Sequence, residues 1–245
     1  MTAEAPEWNG TGFRPLYRQV RELLVGRLRD GTWLPGALIP SEMQIAAELG
    51  VSQGTVRKAL DDMRGDNLLI RQQGRGTFVA RHDEARILFQ FFKLMPDSGP
   101  AVFPESELRH VSTENANPEE QRALGLEPGE PVIRIARVRS LAGRPSISEY
   151  LTVPARIFTG LGTDVPVENN LYDLYASRFG ITVAGGKERI RAVALPAEDA
   201  ALLGLEAGTP VLTIDRIAVA LDGQPIEWRH SLCSTADCAY VSDLR

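Results

Sequence analysis

Apolar residues recur at helical spacing near the start of this chain and in strand-like runs further on, and that contrast divides it in two. Leu16, Val20, Leu23, Leu24 and Leu28 follow one another at steps of three and four, with Arg18, Arg21 and Arg29 off the stripe. The spacing predicts an amphipathic helix opened by Pro15 and stopped by Gly31. Trp33-Leu34-Pro35-Gly36 predicts a turn. Ser41-Glu42-Met43-Gln44 then forms a Ser-x-x-Gln capping box, which predicts a short second helix with Ile45, Ala46 and Leu49 inward and Gly50 as its end. Only Val51 separates Gly50 from Ser52, the N-cap candidate of a third helix whose Val56, Ala59, Leu60 and Met63 share a face. Two short helices joined by a glycine-containing turn make a helix-turn-helix. Beyond them, Leu68-Leu69-Ile70-Arg71 and Thr77-Phe78-Val79 predict two strands joined by Gln72-Gln73-Gly74-Arg75-Gly76, a hairpin with a basic tip.

The remainder contains an internal repeat. Leu124-Gly125-Leu126-Glu127-Pro128-Gly129-Glu130-Pro131-Val132 recurs as Leu203-Gly204-Leu205-Glu206-Ala207-Gly208-Thr209-Pro210-Val211, each preceded by a proline and acidic residues that suit a helix start. After each copy comes a long strand, a turn and a return strand: Ile133 to Leu141 with Ser146 to Val153, and Leu212 to Ala220 with Ile226 to Leu232. Two such units predict one antiparallel sheet with helices laid against it, an α+β half. Helical spacing also runs through Asn169 to Phe179. Arg137 and Arg139, two apart, share a strand face, Glu149 lies on the return strand, and Glu227 holds a comparable place in the second hairpin. These charges either form cross-strand ion pairs on a wet surface or line a pocket for an anionic, amine-bearing or hydroxylated ligand.

Composition narrows the classes. With 43% hydrophobic and 24% charged residues the chain is an ordinary globular one, and no apolar run is long enough to span a membrane. The expected domains are a mobile leader at 1–13 without a secretion-signal layout, a DNA-binding domain at 14–81, a linker at 82–88 and an effector-binding and dimerisation domain at 89–245, in a cytoplasmic protein. Net charge is −5, yet residues 14–82 carry eleven Lys/Arg against seven Asp/Glu, a balance of +4 that leaves −9 elsewhere. A basic head suits phosphate neutralisation. Cys233 and Cys238 are too few for a disulfide framework, and the His230-x2-Cys233-x4-Cys238 run lacks a fourth ligand, so neither metal nor cofactor is expected.

The third helix presents Gln53, Gly54, Arg57 and Lys58 opposite its apolar stripe, and Arg and Gln are suited to reading guanine and adenine edges. Taken in order, Pro15-Leu16-Tyr17, Pro35-Gly36, Ile39-Pro40-Ser41-Glu42, Gly50-Val51-Ser52, Thr55-Val56-Arg57-Lys58-Ala59-Leu60 and Gly74-Arg75-Gly76-Thr77-Phe78-Val79 resemble the winged helix-turn-helix of the GntR superfamily. That resemblance implies DNA contact by Ser52, Gln53, Thr55, Arg57 and the wing glycine Gly74. Arg14, Ser41, Gly54, Lys58, Gln73 and Arg75 complete the candidate surface. From about Phe89 onward the layout is similar to the UTRA domain of the HutC branch, with a chorismate lyase-like fold, which implies an effector pocket built from Arg137, Arg139, Glu149, Asn170, Tyr172 and Glu227. Many relatives have Arg where this chain has Gln53, and some have an aromatic at Cys233. The expected function is a homodimeric transcription regulator, a repressor binding a palindromic double-stranded operator and responding to a small polar or anionic metabolite. An enzyme on the chorismate lyase-like fold and an architectural DNA-binding protein without a sensor are the rival classes, and no nucleophile motif or phosphate loop supports the first.

Overall fold

The computed structural model describes residues 15–81 and 91–242. The expected leader at 1–13, Arg14, the expected linker at 82–88 and the Phe89-Gln90 pair lie outside the described residues. The chain divides into two compact units, Met1–Arg81 and His82–Arg245.

The first unit is three helices and a hairpin: α1 (Leu16–Arg29), α2 (Glu42–Leu49), α3 (Gln53–Gly65), β1 (Leu69–Gln72) and β2 (Gly76–Val79). Val20, Leu24 and Leu28 of α1 pack with Ile45, Ala46, Val56, Ala59, Leu60 and Met63 as the buried core. Leu16 and Leu23, expected on the same stripe, stay 39% and 40% exposed at its margin, so the buried stripe is narrower than the spacing implied. The capping box forms in full: Ser41 Oγ accepts from the Gln44 amide at 3.3 Å, and Gln44 Oε1 accepts from the Ser41 amide at 2.9 Å. Gly50 closes α2 at φ 65°, which lets the chain turn directly into α3. In the hairpin Leu69 pairs with Val79 and Gln72 with Gly76. Gly76 has φ 113°, a backbone conformation that side chains rarely adopt, so a residue with a Cβ would be strained there.

The second unit is built on a six-stranded antiparallel sheet. Its strands are β4 (Glu105–Asn115), β5 (Pro131–Leu141), β6 (Arg144–Pro154), β7 (Val183–Ala194), β8 (Pro210–Ala220) and β9 (Pro225–Cys233), in the spatial order β4-β5-β6-β9-β8-β7. A short pair, β3 (Leu94–Pro96) and β10 (Cys238–Tyr240), stands beside it. Each repeat therefore contributes three strands rather than two. The outer strands β4 and β7 were not expected, because most of their residues are exposed and carry little apolar alternation. The hairpin turn Ala142-Gly143 has positive φ at both residues, the conformation that two-residue hairpins favour.

The repeat also sets the helices. α4 (Pro118–Leu124) and α6 (Ala197–Leu203) both end on a left-handed glycine, Gly125 and Gly204. Both lie on one face of the sheet, and each reaches the return strand of the other repeat: α4 packs against β9 and α6 against β6. Side chains tie α6 to the other repeat, since Asp199 accepts from Ser148 Oγ at 2.6 Å and from the Tyr150 hydroxyl at 2.8 Å. Glu120 of α4 instead accepts from Arg134 and from Thr152 Oγ1 of its own repeat, so α4 bridges the two halves. The opposite face is covered by α5 (Leu171–Phe179), whose Leu171, Leu174 and Tyr175 close a core with Ile133, Ile135, Leu151, Val153 and Phe158.

Candidate functional site

In the first unit the side chains of interest gather at the start of α3. Ser52 caps that helix, accepting from the Thr55 amide at 3.2 Å, and its hydroxyl meets Thr55 Oγ1 at 2.8 Å. Gln53, Gly54, Arg57 and Lys58 are exposed, and Thr55 is half-buried. The amides of the first turn and the positive end of the helix dipole favour a phosphate there. Glu42 organises the two candidate base readers, because its Oε2 accepts from Gln53 Nε2 at 3.2 Å and from Arg57 Nε at 3.0 Å. Lys58 leans the other way, its Nζ 4.1 Å from the centre of the Tyr17 ring on α1. Across a cleft stands the wing, with Gln73, Gly74 and Arg75 exposed at its tip. Ser41 and Gln53 line the same cleft, as does Gln72, whose side-chain oxygen is buried without a hydrogen-bond partner. Arg14 lies outside the described residues.

In the second unit the strand parity places a charged cluster under α5. Arg137 and Arg139 of β5, Glu149 of β6, and Glu227 of β9 are all 3% exposed or less. Register brings them together, since Arg137 faces Glu149 across β5 and β6 and Glu149 faces Ser231 across β6 and β9. The wet-surface alternative is thereby removed for these residues. Arg137 Nε donates to Glu149 Oε2, and Arg229 Nη1 donates to Glu149 Oε1 at 3.3 Å. Burial alone would raise the Glu149 carboxyl, but Arg137, Arg229 and Arg139 outweigh it and hold it well below the usual carboxylate range. Glu227 accepts from both Arg229 Nε at 3.0 Å and Nη2 at 2.8 Å, from the Tyr172 hydroxyl at 3.1 Å and from the Tyr175 hydroxyl at 2.9 Å. Asn170 caps α5 through its Oδ1, which accepts from the Asp173 amide at 3.1 Å.

Above the cluster lies a narrow recess. Arg137, Arg139, Asn170 and Tyr172 line it, joined by Phe91, Phe92, Phe103, Asn169, Arg216 and Arg229. Glu149 lines an adjoining recess, and Glu227 lies beneath Tyr172 and Arg229 as their anchor rather than at either opening. Arg139 is held differently from its neighbours. Its Nε donates to Ser106 Oγ at 3.1 Å and its Nη2 to the Pro104 carbonyl at 3.4 Å, while the nearest carboxylate, Glu149, is 3.9 Å away. The Phe92 and Phe103 ring centres stand 5.5 and 5.3 Å from its guanidinium carbon. Burial lowers Arg139 to about 9, with nearby Arg137, Arg229 and Arg216 adding to the shift and Glu149 opposing it, so it keeps its charge at neutral pH.

Arg216 and Arg229 were not among the expected site residues. Parity carried the signal for Arg229, two positions from Glu227 on one strand, but Arg216 joins only through the β8–β9 register that sets it opposite Arg229. Glu42 was recognised as part of a helix start and not as the partner of Arg57. His230 and Cys233, three apart on β9, point to opposite faces: His230 Nδ1 meets Asp215 at 2.7 Å, whereas Cys233 is packed with Leu94, Ile147 and Ile214. That parity keeps the His-x2-Cys-x4-Cys run from converging on one point.

Comparison with known proteins assigns both units. Residues 16–79 match the gntR family of bacterial regulatory proteins and residues 102–237 match the UTRA domain. The chain is 28% identical over 234 residues to the HTH-type transcriptional regulator SmoD of Agrobacterium fabrum, covering 96% of this chain and 98% of that one. It is 29% identical over 208 residues to the histidine utilization repressor of Pseudomonas putida, covering 84% of this chain and 83% of the relative. The crystal structure of PhnF from Mycobacterium smegmatis superposes with a TM-score of 0.55 at 27% identity, over 92% of this chain and 99% of that one. The matched families are regulators of transcription and not families of enzymes. Among the described residues no helix is long and apolar enough to cross a membrane. The chain belongs to the UTRA family, carries its UTRA domain behind a GntR-family helix-turn-helix, and is a DNA-binding transcription regulator.

Proposed function

We propose that this regulator is a cytoplasmic homodimeric repressor without catalytic activity, that it binds a palindromic operator through α3 and the wing, and that a small metabolite in the UTRA recess alters its grip. Two-fold symmetry in the protein pairs naturally with two-fold half-sites on DNA. Gln53, Thr55 and Arg57 reach base edges in this reading, with Ser52, Gly54, Lys58, Ser41, Arg14 and the wing residues Gln73, Gly74 and Arg75 on the backbone or its flanks. Arg137, Arg139, Asn170 and Tyr172 face the effector, and Glu149 and Glu227 hold their partners in place. The observation that carries the reading is the pairing of Arg57 and Gln53, both exposed, on one carboxylate beside an open cleft.

A gel-shift titration tests it. Operator fragments selected from random duplexes by the purified protein are titrated with wild type, Arg57→Ala and Arg139→Ala. Arg57→Ala is expected to weaken operator binding about 5–150-fold, the range for losing one good base contact, with effector affinity unchanged. Arg139→Ala is expected to leave operator affinity intact and abolish its response to effector. Loss of both functions in each folded variant refutes the division of labour.

A further inference from the structure

We propose that Met43 reads the methyl group of a thymine in each operator half-site, so that this regulator recognises DNA partly through an apolar contact supplied by α2. The inference rests on the reading of α3 and the wing as the operator-binding surface and adds a base-specific contact to it.

Among the described residues Met43 is the most exposed large hydrophobic side chain, at 69%. A lone exposed apolar residue needs no account on an ordinary surface, but Met43 stands where its neighbours are all engaged. Ser41 and Gln44 satisfy each other in the capping box, and Glu42 accepts from Gln53 and Arg57. Within that turn, among the described residues, Met43 is left without a partner, and it lines the cleft in front of α3 together with Gln53 and Arg57. The core has no use for it either, because the inward stripe of α2 is Ile45, Ala46 and Leu49, all buried.

Location decides what Met43 can meet. Leu38, 58% exposed on the same cleft, belongs to the wing side, since it bridges to Phe78 of β2. Met43 belongs to the α3 side, one residue from the carboxylate that holds both base readers. Successive Cα atoms are about 3.8 Å apart and successive bases about 3.4 Å, so a base pair touched by Met43 lies within about two of the one that Arg57 reads. The major groove, which admits the recognition helix, shows polar edges on every base and one apolar feature, the thymine C5-methyl. A thioether carries no charge and no donor, so phosphate and polar edges offer it little, whereas its polarisable, unbranched chain adapts to a methyl group. Contact with deoxyribose is the alternative, and it would be blind to sequence.

The test uses operators selected from random duplexes and resynthesised with deoxyuridine in place of each thymine in turn, which removes the methyl and keeps every hydrogen-bonding group. They are titrated in gel shifts with full-length wild type, Met43→Ala, Met43→Leu and Arg57→Ala. At one thymine, within about two base pairs of the position where Arg57→Ala loses discrimination, deoxyuridine is expected to weaken wild-type binding about fourfold per half-site, the contribution of one buried methyl. Met43→Ala is expected to bind the thymine operator more weakly and to be indifferent to that substitution. Met43→Leu is expected to retain the preference, and neither variant to shift the thermal midpoint. Selected operators without a thymine near that position, a flat deoxyuridine profile in wild type, or a penalty that persists in Met43→Ala overturns the inference, and leaves α3 assigned to the operator provided that Arg57→Ala weakens binding. Arg57→Ala without effect on the operator removes the reading of α3 and this inference together.

Discussion

Replacing Glu149 with glutamine isolates the electrostatics of the UTRA core. The amide has nearly the shape of the carboxylate, so the change leaves no cavity and removes one charge. Arg137 donates to that carboxylate, Arg229 lies 3.3 Å from it and Arg139 3.9 Å, all of them buried. Four cations then face two carboxylates instead of three. Breaking a buried ion pair costs about 3–5 kcal/mol because the surviving charge stays desolvated. For a folding unit of this size each kcal/mol moves the midpoint by roughly 2–4 °C, so the UTRA transition is expected to fall by roughly 6–20 °C. The amide keeps one acceptor oxygen, which places the outcome in the lower half of that range. Differential scanning calorimetry of the full chain is the assay, run in chloride and again in sulfate at equal ionic strength. Sulfate is expected to restore more of the midpoint in Glu149→Gln than in wild type, because an anion that binds the folded state stabilises it and the variant has the greater cation surplus. A fall under about 2 °C with no sulfate dependence would falsify the picture of a dry cluster in which Glu149 holds three guanidiniums.

Acid should destabilise this unit through carboxylates whose folded values are depressed. For Glu120, burial favours the neutral acid but Arg134, the Asn117 amide and Thr152 outweigh it, and Glu149 is lowered as described. Their contribution is therefore complete above the ordinary carboxylate value near 4.5 and is lost as pH falls through the lower folded values. Urea midpoints measured from pH 5.5 down to 3 should decline, with a shallower slope in Glu120→Gln; parallel slopes would remove Glu120 from the account. Ser52→Ala takes the cap from α3 and should cost about 1 kcal/mol in urea unfolding of the first unit, with weaker operator binding; unchanged stability would mean that the Thr55 amide finds another acceptor. Glu42→Ala releases Gln53 and Arg57 from their common acceptor and should narrow discrimination between the selected operator and single-base variants about fivefold, the equivalent of one net hydrogen bond. An unaltered ratio in competition binding would show that the DNA orders those side chains without help.

What could be read along the chain was the part whose causes are local. Val56, Ala59, Leu60 and Met63 sit one helical turn apart, Ser41 and Gln44 satisfy each other's amides, and Gly50 supplies its own left-handed turn, so each feature is visible within a few residues. The repeated Leu-Gly-Leu segment announced two related helix-and-hairpin units for the same reason. β4 and β7 escaped notice because an edge strand with a solvated face needs few apolar residues, and segments such as Gly185-Gly186-Lys187-Glu188 have no alternation to reveal them. The charged cluster was half legible: parity put Arg137 beside Arg139, but which guanidinium meets which carboxylate depends on β6 lying next to β9, a pairing between residues some eighty positions apart. Asn170 was expected as a ligand contact, and its side-chain oxygen is also spent on the start of α5, a use that follows from the helix beginning one residue later.

The exchange of helices between repeats has a mechanical consequence. Arg137, Arg139 and Glu149 are furnished by one half of the UTRA unit, Arg216, Glu227 and Arg229 by the other, and the line between β6 and β9 runs through the middle of them. α6 is tied to β6 of the opposite half, while α4 straddles the midline, packing on β9 and accepting through Glu120 from Arg134 and Thr152 of its own half, so slippage along that line loads both helices on the far side. An occupant that cinches the midline would thus be felt by the helices on the reverse of the sheet, without a lever or a hinge to carry the message.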